Sequence, residues 1–128
     1  EILNVAMSAH PTITTIHAFD SLSIVERMTN MVLMNDKNLN AGDIIKDLRY
    51  HFRFFVFLKR DINEKGIVYR YISEVSISDG KSEPITIYSS DGKAHNFAKI
   101  PTKTLANFKI PSFLRVFKQV FIKGEEDD

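Results

Sequence analysis

The sequence predicts an α/β domain, and three observations carry that prediction. A β-branched stretch, Ile13-Thr14-Thr15-Ile16, ends on His17 and is followed at once by the helix-start residues Asp20 and Ser21. Two segments then repeat apolar residues at three- and four-residue spacing, the period of a helix with one buried face. After them come an aromatic apolar run and further strand-like stretches, separated by glycine-containing turns.

The bulk properties bound the rest. A chain of 128 residues suits one domain with a single core. Hydrophobic residues at 44% and charged residues at 26% are ordinary for a soluble globular protein. A net charge of +1 gives no global field that would favour nucleic acid or an acidic partner. Without cysteine the chain has neither disulfides nor thiolate zinc sites. No apolar run reaches the length of a membrane span, and no signal peptide is visible. The chain opens on Glu1 and enters helix-like sequence directly, so it reads as a piece of something longer.

The elements follow in order. Residues 2–8 are almost wholly apolar and read as the end of a buried helix, closed by His10 and Pro11. Residues 13–16 are the expected central strand, with His17 at its end facing the N-terminus of the next helix, a place suited to sensing an anion. That helix is expected over 22–34, with Ile24, Val25, Met28, Met31 and Val32 on its stripe. Asn40 caps a second helix over 41–51, with Asp43 in its first turn and Ile44, Ile45, Leu48 and Phe52 inward. Residues 54–58 (Phe-Phe-Val-Phe-Leu) read as a strand buried on both faces. A charged turn over 59–66 joins it to a strand over 67–77, with Val68, Ile72 and Val75 inward, as an antiparallel hairpin. Ser78-Asp79-Gly80-Lys81 is echoed by Ser90-Asp91-Gly92-Lys93, so a small β-meander is expected, with strands over 85–88 and 95–100. Ile110-Pro111 starts a last helix that ends at Gly124, and an acidic tail follows.

Several motifs fail on inspection. Gly80-Lys81-Ser82 lacks the glycine five residues earlier, where Val75 stands, and a strand pattern follows it, so it is a turn and no phosphate loop. The remaining glycines build no nucleotide cradle. His10 and His17 stand seven apart across a proline, which is no helical metal pair, and no serine has a nucleophile's context. Lys59, Arg60, Lys65 and Arg70 alternate with Asp61 and Glu64, which reads as a solvated hairpin end.

One resemblance spans most of the chain. Ala9-His10, then Thr15-Ile16-His17-Ala18, then Arg27 on the following helix, resembles the His box of type II/IV secretion system ATPases. These are the VirB11-like motors, and the likeness is greatest to their CpaF/TadA-like branch. Phe54 to Leu58, Tyr71-Ile72-Ser73-Glu74-Val75 and Ile110-Pro111-Ser112-Phe113-Leu114 resemble later segments of the same family, in the same order. Ser8-Ala9 stands where the family has Thr-Gly, and Pro11 and Phe19 replace smaller residues.

The resemblance implies the C-terminal portion of a RecA-like P-loop ATPase domain, with a mostly parallel sheet, an appended β-meander and a C-terminal helix. Residues 1–77 would be the distal part of the motor domain, 78–123 the meander and last helix, and 124–128 a disordered tail. The implied activity is a homo-hexameric motor, using ATP with Mg2+, for secretion, pilus assembly or conjugative transfer. It would sit at the cytoplasmic face of the inner membrane, against inner-membrane components of the machine, with no direct nucleic-acid contact. His17 would sense nucleotide and serve the chemistry, and Thr15, His10 and Arg27 would stand at the nucleotide with it. The family's phosphate loop and catalytic glutamate lie upstream of the His box, so this chain alone is expected to be inactive. The alternative is a non-enzymatic adaptor or regulatory α/β domain that docks on a secretion complex.

Overall fold

The structure, a computed structural model, describes residues 2–8, 10–101 and 103–104. The expected last helix and the acidic tail lie outside the described residues. The elements are α1 (Ile2–Met7), α2 (Ser23–Asn35), α3 (Ala41–His51), β1 (Phe54–Ile62), β2 (Val68–Ile77), β3 (Ile85–Ser90) and β4 (His95–Phe97). The strands form one sheet in the order β1-β2-β3-β4, antiparallel at every step. The result is a small α/β fold.

Two expectations about the sheet are corrected. The described sheet is not mostly parallel. Its strands are joined by short turns, and parallel neighbours need a crossover of roughly a dozen residues or more. Residues 13–16 are not a strand of it: residues 10–18 run irregularly and make no ladder with any described strand. Side-chain burial still alternates along 11–20, as on an extended backbone. Ile16 and Ala18 lean on the core, whereas Ile13 is wholly exposed. The boundary expected after residue 77 falls between β2 and β3, which are paired in this one sheet.

The core forms where α2 and α3 pack together. Ile24, Val25 and Met28 meet Ile44 and Leu48, and Phe55 from β1 completes the cluster. Each such side chain, fully buried, contributes roughly 1.5–3 kcal/mol. Both helices match their expected apolar stripes, apart from Met31, which is exposed. Asn40 caps α3, its Oδ1 accepting from the Asp43 amide at 3.2 Å. α1 is only partly buried: Ala6 is inside, while Val5 and Met7 are exposed.

The strand expected to be buried on both faces is buried on one. Phe55 is 3% exposed, but Val56 is 48% and Leu58 64% exposed. The helical core reaches β1 at Phe55, and the rest of the β1–β2 hairpin extends past it. The inward set expected for β2 is also corrected. The pairing skips Ser73 between Phe57↔Glu74 and Leu58↔Ile72. This bulge puts Ile72 and Val75 on one face although they are three residues apart. Val68 and Ile72 are exposed there, while Ser73, Ser76 and Ile77 are buried.

The two Ser-Asp-Gly-Lys turns adopt one design. Asp79 Oδ1 accepts from the amides of Lys81 and Ser82, and Asp91 Oδ1 from those of Lys93 and Ala94. Ser78 Oγ accepts from the Gly80 amide, and Ser90 Oγ from the Gly92 amide. Gly80 and Gly92 sit at φ 89° and 92°, a region open to glycine at little cost.

Candidate functional site

The site grows from the turn between residue 17 and α2. Asp20 and Ser23 cap each other. The Ser23 amide donates to Asp20 Oδ1 at 2.7 Å, and the Asp20 amide donates to Ser23 Oγ at 3.1 Å. The backbone bond from Ser23, then its side-chain bond, hold the Asp20 carboxyl below the usual aspartate range. Ser21 is wholly buried. Its amide and its hydroxyl both donate to Glu74 Oε2, each at 3.0 Å. Ser21 Oγ also shares a 2.6 Å hydrogen bond with Ser76 Oγ, which in turn lies 3.0 Å from Thr86 Oγ1. A line of polar groups thus ties the turn after His17 to β2 and β3.

This arrangement uses two amides at the start of α2. The Ser21 amide belongs to Glu74 and the Ser23 amide to Asp20, so these two are not open to an anion. His17 is exposed and lines a cavity of about 440 Å³ with Ser23, Glu26, Arg27 and Asn30. The cavity therefore carries an imidazole, a guanidinium and one opposing carboxylate. A phosphate-sized anion can be met by the first two, with Glu26 disfavouring approach from its own side.

The expected residues divide. His17 and Arg27 come together. Thr15 lines a different cavity, of about 600 Å³, bounded by α2 and α3. His10 stands apart, with Nδ1 2.7 Å from Ser8 Oγ. Among the described residues no group of three or more His, Asp or Glu side chains is placed to hold a metal ion. The amides of Gly80, Lys81 and Ser82 all serve their own turn, which agrees with reading that loop as a turn.

Sequence reasoning missed the Ser21–Glu74–Ser76–Thr86 line. One signal was available: Glu74 is a carboxylate inside an otherwise strand-forming run, Tyr71 to Ile77. Its partner lies 53 residues away, and no local pattern points to it. No helix among the described residues is long and apolar enough to cross a membrane. No protein-family model matches this chain, and neither does any curated protein or solved structure.

Proposed function

We propose that this chain is the C-terminal part of a RecA-like, hexameric secretion ATPase, with His17 as its nucleotide-sensing residue. The observation that carries the reading is that His17 and Arg27, ten positions apart, line one cavity at the start of α2. Their side chains fit contact with a terminal phosphate. They do not amount to a nucleotide site, because neither a phosphate cradle nor a metal cluster accompanies them among the described residues. ATP with Mg2+ would be held by the phosphate loop and acidic residues of the complete motor, and would supply the transferable phosphate.

Within that motor, the imidazole of His17 donates one hydrogen bond to the terminal phosphate, or donates to or accepts from its water, according to its tautomer. A hydrogen bond to a charged group contributes about 1.5–3 kcal/mol. Arg27 adds a fixed positive charge from one α2 turn further on. Movement of the His17 turn reaches β2 through Ser21 and Glu74, because both Ser21 donors share one carboxylate oxygen. The partners are neighbouring subunits of the same kind and inner-membrane components of the secretion machine. The test is His17→Ala in the motor that carries its phosphate loop. ATP-coupled transport is expected to be lost while the thermal melt is unchanged. Unchanged turnover and transport would overturn the reading.

A further inference from the structure

The β1–β2 hairpin and the α2–α3 cavity carry opposite charges on matching apolar ground. On one hairpin face, Leu58 pairs with Ile72, Arg60 with Arg70, and Ile62 with Val68. All six are exposed, and the paired positions on that face include no carboxylate. Two arginines directly opposite each other repel, with Cβ atoms about 4.5–5.5 Å apart. Among the described residues neither takes part in an ion pair.

The cavity of about 600 Å³ has the complementary make-up. Its floor includes Met28, Val32 and Ile44, and its rim carries Asp36, Asp43 and Asp47, with no lysine or arginine in its lining. Asp43 and Asp47 lie four apart on α3, so their Cβ atoms are roughly 5–6 Å apart and they also repel. The two like-charge pairs thus have opposite sign and similar spacing, and each is flanked by exposed apolar side chains.

We infer that the occupant of the cavity is a second copy of this chain, which inserts its Arg60/Arg70 hairpin face against Asp43 and Asp47. A symmetric hairpin-on-hairpin contact would set arginine against arginine. A head-to-tail contact relieves both repulsions and buries Leu58, Ile62 and Ile72. Such a contact is heterologous, so it closes into a ring or runs on as a filament. The inference rests on the proposed function for its expectation of like neighbours. Its test reads assembly and no nucleotide chemistry, so either reading can fail alone.

The experiment is sedimentation of the full chain at low and high salt, with charge-reversed variants. Arg60→Glu with Arg70→Glu is expected to weaken self-association at least tenfold, and so is Asp43→Lys with Asp47→Lys. An equimolar mixture of the two double variants is expected to restore association to within about threefold of the parent, because every hairpin then meets a groove of opposite charge. Circular dichroism confirms that each variant is folded, and Arg60→Lys with Arg70→Lys serves as the charge-retaining control. The inference is overturned if the parent stays monomeric, if its association ignores both reversals, or if the mixture stays dissociated. It is also overturned if the hairpin's function proves to be binding anionic lipid vesicles.

Discussion

Glu74 holds the turn after His17 through a single oxygen, and removing it should loosen that turn measurably. In Glu74→Ala, the Ser21 amide loses its acceptor in a wholly buried position, while Ser21 Oγ keeps Ser76 as a partner. An unsatisfied buried donor costs about 1–3 kcal/mol, and the hydroxyl, whose bond to Glu74 is partly replaced by the one it keeps to Ser76, adds about 1 kcal/mol. The total is about 2–4 kcal/mol. With an unfolding entropy near 2.1 cal/mol/K per residue, that lowers the melting temperature of a chain this size by roughly 7–15 °C. Glu74→Gln keeps an acceptor oxygen and should lose about half as much. The assay is a pair of thermal and urea melts followed by circular dichroism. If Glu74→Ala melts within about 2 °C of the parent, or no lower than Glu74→Gln, the Ser21–Glu74 tie does not hold the turn.

Other perturbations give equally direct outcomes. Leu48 is wholly buried in the helix pair, so Leu48→Ala should destabilise by about 2–5 kcal/mol in urea titrations. A Cβ at Gly80 would lie 2.7 Å from Arg53 Nη1 at φ +89°, while one at Gly66 (φ +75°) meets nothing within 4 Å. The Arg53 guanidinium is the end of a flexible side chain and can move aside, so Gly80→Ala and Gly66→Ala should cost similar amounts in thermal melts, set by the positive-φ strain they share. Asp20 titrates lower in the folded chain than in the unfolded one. Its contribution is complete above the ordinary aspartate range and is lost as pH falls through the lowered folded value. Asp20→Asn should flatten that part of the acid limb when stability is followed against pH.

Much of the fold was legible because it is locally encoded. The Asn40 cap, the Ile44/Leu48 stripe and the repeated Ser-Asp-Gly-Lys turns depend on neighbours within four residues, and the structure forms each of them. The hairpin was legible for the same reason. The strand reading of 13–16 missed because β-branched sequence specifies an extended backbone but not a partner for it. The reading of 54–58 as doubly buried missed because an apolar run does not say how many faces are covered. The inward set of β2 missed because the bulge at Ser73 reverses the alternation midway. At the site, His17 and Arg27 were both singled out in the sequence, and they line one cavity. The Ser21–Glu74 tie was not, since it is a contact between distant parts of the chain.

Nucleotide handling is the central claim, and one comparison tests it most directly. ATP binding and hydrolysis would be measured for this chain and for a version extended upstream through a phosphate loop. The account predicts that the extended version binds and turns over ATP, that this chain alone does not, and that His17→Ala removes turnover from the extended version. Nucleotide binding that gains nothing from the extension, or turnover indifferent to His17, would contradict it.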